Sequence, residues 1–181
     1  ARGGALATLR TIDLSRNSVS RSGHALARLV SAAPVLAALD LGWNNLRDTD
    51  ALAVADALAD ARALETLNLA WNNFGDFEAT QAIARAIGQN CSLTELDLSW
   101  NRVREPGCLC VANALIANTK LRVLCMDGNP VGQTGGAQLL EVVASTASAA
   151  ADATDGDAAG PSVPRADAQP PMRVVSLEGC N

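Results

Sequence analysis

Leucine recurs along this chain in a pattern that alternates buried-type and polar positions. The pattern L-x-x-L-x-L-x-x-N occurs in five copies and a degenerate sixth. Successive copies begin 27, 28, 29, 28 and then 51 residues apart. Leucines two positions apart point to one face of an extended chain, so each copy predicts a short strand with one buried face. The copies span 9–17, 36–44, 64–72, 93–101, 121–129 and 172–180.

A second hydrophobic pattern, with the period of a helix, follows each strand. Apolar residues recur three and four positions apart in segments such as HALARLV, ALAVADAL and ATQAIARAI, which is typical of a helix with one buried stripe. A period near 28 leaves room for about three helical turns in each repeat. Strand and helix therefore alternate, and each repeat is expected to bury its apolar faces against its neighbours in a solenoid.

The asparagine that ends each copy has a predicted structural role. Its side-chain amide both donates and accepts, so it can satisfy backbone groups where the chain leaves the sheet. Cys180 takes this place in the sixth copy. Stacking of the repeats predicts an asparagine ladder made of Asn17, Asn44, Asn72, Asn101 and Asn129.

These registered copies resemble the leucine-rich repeats of the ribonuclease-inhibitor type, from Leu9 to Asn181 apart from the tract between the fifth and sixth copies. The resemblance implies an α/β leucine-rich-repeat solenoid, or horseshoe, with a concave parallel sheet and convex helices. Members of this class act as inhibitors, immune sensors, GTPase activators and cytoskeletal or ciliary scaffolds, so the resemblance leaves the function open. We assign repeats 1 to 5 to residues 1–144 and the start of a truncated repeat 6 to 172–181.

The long interval before the sixth copy contains a low-complexity segment, residues 145–171, rich in Ala, Asp, Gly and Pro. It has little to bury, which favours a flexible insertion. A partner-binding or modified loop is the alternative. Because the chain opens without Met and stops within a repeat, we expect it to be a fragment of a longer protein.

All three tryptophans occupy one position of the repeat, directly before the terminal asparagine: Trp43, Trp71 and Trp100. Adjacent strands lie about 4.8 Å apart, within the range at which aromatic rings attract one another. One interpretation is a structural stack that covers the loops leaving the sheet. The other is an anchor patch for a partner, since tryptophan is enriched at binding hot spots.

Carboxylates lie on the exposed face of the same strands, with arginines toward the ends of the array. A row of carboxylates repels itself unless water screens it or a basic partner neutralises it. The interpretations are a solvated sheet face or a groove for a basic peptide or helix. A calcium site is less favoured, because calcium prefers oxygen ligands on adaptable loops. Besides the tryptophans, the candidate partner-binding residues are Asp40, Glu65, Glu95, Asp97, Arg16 and Arg122.

The charge of the chain limits the classes of partner, and its cysteines indicate the cellular compartment. The formal charge of −5 disfavours nucleic acid and anionic membranes, and no apolar run approaches the roughly 20 residues of a membrane span. Five cysteines without a disulfide-framework spacing favour the reducing cytoplasm. We find no motif for catalysis, a metal or a cofactor.

The sequence therefore predicts a non-enzymatic scaffold or adaptor in a large cytosolic or cytoskeletal assembly, including a ciliary one, with a protein segment on the concave face. Two alternatives stay open. One is a regulatory GTPase activator or inhibitory sensor domain. The other is a purely architectural element with an empty concave face, which predicts tryptophan rings mostly buried against one another.

Overall fold

The computed structural model describes residues 6–47, 49–152 and 174–180, and for residues 147–152 it describes the backbone alone. Strands and helices alternate through this part of the chain. The strands are β1 (Thr11–Asp13), β2 (Ala38–Asp40), β3 (Thr66–Asn68), β4 (Glu95–Asp97), β5 (Val123–Cys125) and β6 (Val174–Ser176). The helices are α1 (Gly23–Ala32), α2 (Thr49–Asp60), α3 (Phe77–Gln89), α4 (Glu105–Ala117) and α5 (Gly132–Asp152).

The strands form one parallel sheet in sequence order, β1 to β6. The central leucine of each strand pairs with that of the next, as in Leu39 with Leu67 and Leu67 with Leu96. Each helix packs against the following helix on the other side of the core. The predicted α/β solenoid, with a parallel sheet on one side and helices on the other, is confirmed.

The leucine pattern accounts for the core. In β2, β3 and β4 the central leucine is buried while both flanking residues are partly exposed or exposed. The helices meet this core through small and branched side chains such as Ala82, Ile83 and Val111. Because each repeat covers the apolar face of its neighbour, burial is continuous along the array.

The asparagine ladder joins successive repeats through hydrogen bonds. Asn101 Nδ2 donates to Leu69 O of the preceding repeat at 2.9 Å, and to Leu98 O and Ser99 O of its own turn at 3.0 and 3.1 Å. Its Oδ1 accepts from Phe74 N at 3.4 Å. The side chains of Asn44, Asn72 and Asn129 bridge the repeats in the same way.

A buried carboxylate adds a second connection between repeats 1 and 2. Asp50, in the first turn of α2, accepts hydrogen bonds from Arg21 N and Gly23 N, both at 2.8 Å. The negative side chain thereby satisfies backbone donors at the start of the neighbouring helix α1. None of the helices in the described part of the chain is long and apolar enough to cross a membrane.

The sixth strand resumes the array after the long interval. β6 pairs with β5 in the register of the other strands, with Leu124 opposite Val175. Helix α5 continues to Asp152, so residues 145–152 of the predicted flexible insertion are helical. The rest of that insertion, 153–171, lies outside the described residues, as do Met172 and Arg173.

Candidate functional site

The three tryptophans lie at the edge of the sheet where the parallel strands end, called here the carboxyl edge. Each has a left-handed backbone, with φ of 58°, 58° and 57° at Trp43, Trp71 and Trp100. The same repeat position is left-handed at Arg16, Gly128 and Gly179, so the turn itself requires this conformation. The turn places the asparagine that follows the left-handed residue in the core, and it leaves the side chain of the left-handed residue itself outside the core.

These side chains form a tryptophan stack, defined as Trp43, Trp71 and Trp100. The ring centroids are 4.1 Å apart for Trp43 and Trp71 and 4.6 Å apart for Trp71 and Trp100, with interplanar angles of 13° and 11°. The side chains remain 50%, 40% and 47% exposed. The stack is therefore ordered by its own ring contacts and still presents a large aromatic surface to solvent.

The backbone under the stack is held from one repeat to the next. Trp43 N donates to Ala70 O at 2.9 Å, Trp71 N to Ser99 O at 2.9 Å and Trp100 N to Asp127 O at 2.7 Å. Since each of these bonds joins a tryptophan to the following repeat, the spacing of the rings follows the spacing of the repeats. The indoles are thus positioned by the solenoid before any partner is present.

The aspartates behind the stack have a structural task that the sequence analysis did not assign to them. Asp40 Oδ1 accepts from Gly42 N at 2.8 Å, and Asp97 Oδ1 accepts from Ser99 N at 2.8 Å. Such a hydrogen bond to the backbone two residues later closes the turn after the strand. The second oxygen of each carboxylate takes no part in this turn.

Asn68 interrupts the predicted row of carboxylates. It lies between Asp40 and Asp97 in the sheet register, and its Nδ2 donates to Asp40 Oδ2 at 3.1 Å. Its own Oδ1 accepts from Ala70 N at 2.9 Å, so asparagine closes this turn as aspartate does elsewhere. The hydrogen bond and the neutral amide reduce the repulsion that an unbroken row would produce.

The remaining candidate residues lie at the opposite end of the strands. Glu65 immediately precedes β3, and Glu95 begins β4 with its N–H donating to Glu65 O at 3.0 Å. Arg122 precedes β5 at the position equivalent to Glu65. Glu95 lies at the start of β4, whereas Trp100 lies in the turn after that strand. The structure therefore groups Arg16, Asp40 and Asp97 with the tryptophan stack, and places Glu65, Glu95 and Arg122 apart from it.

Two acidic groups on the sheet face have shifted titration behaviour. Hydrogen bonds from the Ser15 hydroxyl and the Ser15 N–H, together with the charge of Arg16, lower the pKa of Asp13. Burial raises the pKa of Cys125, and the carboxylates of Asp97, Asp127 and Glu95 raise it further. Asp13 therefore stays ionised and the Cys125 thiol stays protonated at neutral pH, which does not suit a nucleophile.

Two cavities flank the repeat 1 end of the stack. One, of about 550 Å³, is lined by Arg16, Asn17 and Trp43. The other has a volume of about 430 Å³, and the residues that line it are Asp13, Ser15, Arg16, Asp40, Gly42, Trp43 and Asn68. Among residues 6–47, 49–152 and 174–180, no three histidine, cysteine or carboxylate side chains are grouped so that they could hold a metal ion.

Several structural side chains were missed from the sequence. Asn90 follows α3, and its Nδ2 donates to Leu58 O near the end of α2 at 2.7 Å. Asn118 follows α4, and its Nδ2 donates to Ile87 O near the end of α3 at 2.6 Å. Each also accepts from two backbone N–H groups that lead into the next strand. The signal was an asparagine three positions before the first leucine of the fourth and fifth copies.

A further cleft, of about 650 Å³, lies between the loops that precede α3 and α4. Phe77, Arg102 and Arg104 line it with exposed side chains. None of these residues belongs to the leucine pattern, and no spacing in the sequence marked them.

Comparisons with known proteins agree with this architecture. The family described as "Leucine Rich repeat" matches residues 33–55, 62–76 and 89–112. RAN GTPase-activating protein 2 of Arabidopsis thaliana is 29% identical over 100 residues, which are 55% of this chain and 18% of that protein. The chain thus spans less than a fifth of the length of this curated relative.

Two solved structures share the fold. Leiomodin-1 Actin-Binding Site 2 superposes with a TM-score of 0.64 at 22% identity, covering 76% of this chain and 80% of that chain. The tropomodulin C-terminal domain of Caenorhabditis elegans superposes with a TM-score of 0.62 at 15% identity, covering 83% and 92%. At these identities the likeness is one of fold.

Proposed function

The chain is a leucine-rich-repeat protein, and we propose that it is a non-enzymatic scaffold or adaptor that holds a segment of a partner protein against the tryptophan stack. The observation that carries the proposal is the stack itself, three ordered indoles that remain 40% to 50% exposed. Tryptophan is among the residues that contribute most to protein interfaces, and rigid placement lowers the entropy cost of binding.

Backbone conformation supports a role beyond folding. The repeat position requires a left-handed residue, and glycine meets this requirement at Gly128 and Gly179. A non-glycine residue in this region costs about 1–3 kcal/mol. Ring stacking offsets part of this cost, at about 0.5–1.5 kcal/mol for each pair. Tryptophan at three of these positions is therefore better explained by use of the exposed rings than by the needs of the turn.

The charges near the stack support a basic segment as the partner. Asp40 and Asp97 each use one carboxylate oxygen in a turn, and the second oxygen of Asp40 accepts from Asn68 Nδ2, which leaves lone pairs on both carboxylates for further donors. Opposite charge across an interface directs the approach and the register of the partner. Arg16 contributes one positive charge at the repeat 1 end of the stack, where Asp13 and Asp40 contribute two negative charges.

An affinity-capture experiment tests this proposal. The chain and a variant with Trp43→Ala, Trp71→Ala and Trp100→Ala are cross-linked to proteins of a cytosolic extract, and the captured proteins are quantified by mass spectrometry. We expect a defined set of proteins to fall at least tenfold with the triple variant, because the aromatic anchors are gone. Circular dichroism and urea unfolding establish that the variant is folded.

The control carries Ile116→Ala and Leu140→Ala, which remove exposed apolar side chains from α4 and α5 on the opposite surface. This variant should capture the same set as the unmodified chain. Retention of the full set by the triple tryptophan variant would refute the anchor role. Loss of the set only in the helix variant would favour an architectural element that leaves the sheet face empty.

GTPase activation is the second candidate, and the similarity to RAN GTPase-activating protein 2 over 100 residues is the observation that favours it. Its test is the rate of GTP hydrolysis by Ran with and without an excess of this chain. Stimulation above the intrinsic rate would support the regulatory role. An unchanged rate would remove this candidate and leave the scaffold.

We place the scaffold in the cytoplasm, within a cytoskeletal or ciliary assembly. The cytoskeletal part of this proposal is supported by the shared fold with an actin-binding site of leiomodin-1 and with a tropomodulin domain. Co-sedimentation of the chain with filamentous actin tests the cytoskeletal part of this proposal directly. Recovery of the chain in the supernatant at saturating actin would exclude direct binding to filaments.

A further inference from the structure

The two ends of the tryptophan stack differ. At the repeat 5 end, the ring of Trp100 lies over Gly128, where a side-chain Cβ would come within 2.6 Å of Trp100 Cε2. This close approach covers the outer face of Trp100 with backbone. The stack is therefore closed at this end, and nothing can be added to it without moving Gly128.

At the repeat 1 end, the equivalent position holds Arg16 instead of an aromatic residue or glycine. The outer face of Trp43 borders the cavity of about 550 Å³ that Arg16 and Asn17 complete. Trp43 is also the most exposed of the three indoles, at 50%. Among the described residues no further ring stacks on this face, so the stack is open here, with room for one more planar group on a ring whose other face contacts Trp71 at 4.1 Å.

The charges beside this open end select among planar groups. The adjoining cavity of about 430 Å³ is lined by the carboxylates of Asp13 and Asp40 as well as by Trp43. Asp40 Oδ2 already accepts from Asn68 Nδ2, and Arg16 offsets part of the negative charge of Asp13. Two carboxylates against one guanidinium leave the site negative, which favours a cation.

We propose that the open end of the stack is a subsite for an arginine side chain of the partner segment, with the guanidinium stacked on Trp43 and facing Asp13 and Asp40. The inference rests on the proposed role of the stack in holding a protein segment. Arginine fits better than lysine because its planar guanidinium stacks on aromatic rings and pairs with carboxylates through several donors.

The subsite can be measured residue by residue in the full chain. The chain has three tryptophans, so its NMR spectrum should contain three indole N–H signals, which single variants assign. The probes are the Nα-acetyl methylamides of arginine, lysine, citrulline and phenylalanine. Titration with the arginine compound should shift the Trp43 signal most. We expect affinity at least fivefold higher for arginine than for citrulline, which has the same shape without the charge.

Substitutions matched to the fold test each part of the subsite. Asp40→Asn keeps the turn, since Asn68 closes the equivalent turn, and Asp13→Asn is its counterpart in repeat 1. Together they should weaken arginine binding at least fivefold. Arg16→Gln removes a competing positive charge and should strengthen binding about twofold to threefold. Trp43→Gly should weaken it at least tenfold and Trp100→Gly by a smaller factor, while Ile116→Ala should leave it unchanged.

Three outcomes would overturn the arginine subsite. They are equal binding of citrulline or phenylalanine, weaker binding after Arg16→Gln, and equal losses for Trp43→Gly and Trp100→Gly. Any of these, combined with loss of captured proteins in the triple tryptophan variant, would reject the subsite and leave the scaffold role intact. Retention of captured proteins by the triple variant would instead reject the role on which the subsite rests.

Discussion

The asparagine ladder and the tryptophan stack are made of adjacent residues in the same turns, and their environments are opposite. Asn44, Asn72 and Asn101 are 0%, 7% and 0% exposed, and their side-chain amides form hydrogen bonds with backbone groups of two repeats. The tryptophans directly before them are 40% to 50% exposed and contact one another. The asparagine of each turn thus stabilises the solenoid, and the tryptophan before it remains accessible to a partner.

The reason for this division is the left-handed residue. That conformation turns the chain so that the asparagine side chain enters the core, while the residue that adopts it points away. The backbone of this residue is constrained, whereas its side chain lies outside the core, where the tryptophans contact one another. The position before each ladder asparagine therefore requires a left-handed backbone but no particular side chain. Residues that bind a partner can differ at this position from repeat to repeat.

Of the substitutions that test this difference between the asparagines and the tryptophans, Asn101→Ala is expected to lower the free energy of unfolding most. The substitution removes the side-chain acceptor of Phe74 N and three side-chain hydrogen bonds to carbonyls, of which Leu69 O and Ser99 O keep bonds from Asn72 Nδ2 and Trp71 N. Because an unsatisfied buried donor costs about 1–3 kcal/mol and each lost hydrogen bond about 0.5–1.5 kcal/mol, we expect the free energy of unfolding to fall by about 3 kcal/mol or more. Urea unfolding followed by far-UV circular dichroism measures it.

Asn17→Ala is the matched control within the ladder. Asn17 is exposed, and within the described part of the chain its side-chain amide donates to Leu14 O and Ser15 O of its own turn. Water can replace these bonds, so the loss should stay below about 1 kcal/mol. Similar losses for the two variants would show that the ladder does not stabilise the array through its buried bonds.

A somewhat smaller loss is expected from Asp50→Ala, which tests whether a buried polar bridge outside the ladder behaves as the asparagines do. Arg21 N and Gly23 N lose a charged acceptor at the start of α1. Removal of such a cap costs about 2 kcal/mol. The free energy of unfolding should fall by that amount, whereas Asp56→Ala, exposed on the same helix, should leave it nearly unchanged.

The fold was accessible from the sequence because every repeat carries the same information. Five copies of the leucine pattern in one register predict the parallel sheet, its order and the buried faces before any local detail is known. The helical extension into residues 145–152 was missed because the segment was judged by its low complexity. Its sequence, STASAAAD, is half alanine, and alanine has the highest helix propensity.

The candidate site was accessible only in part. The shared position of the tryptophans predicted their proximity, but tryptophan itself gives no indication of a left-handed backbone. Gly128 and Gly179, which occupy the equivalent position, carried that signal. Asp40 was assigned to a groove although its pattern also fits a turn, since Asp followed two residues later by a small residue suits such a turn.

A smaller loss of stability is expected from Trp100→Gly than from the replacement of its neighbour Asn101. Glycine relieves the left-handed backbone, a gain of about 1 kcal/mol, whereas the loss of one ring pair costs about 0.5–1.5 kcal/mol and the loss of a half-buried side chain about 1 kcal/mol more. The free energy of unfolding should therefore fall by about 1 kcal/mol. Trp100→Ala should be less stable than Trp100→Gly, because alanine loses the ring and keeps the strained backbone.

The smallest effect is expected at the sixth copy, where Cys180 stands in the ladder position. Its thiol donates to Met126 O of the preceding repeat at 3.1 Å. This bond is equivalent to the one that Asn129 Nδ2 donates to Leu98 O, one repeat earlier. Cys180→Asn should keep this bond and add donors toward Leu177 O and Glu178 O, as each ladder asparagine has toward its own turn. At about 0.5–1.5 kcal/mol for a typical bond, partly exposed here, we expect a gain of about 0.5 kcal/mol in the free energy of unfolding. Urea unfolding of Cys180→Asn beside Cys180→Ala measures it, and a loss of stability with asparagine would show that repeat 6 does not complete the ladder geometry.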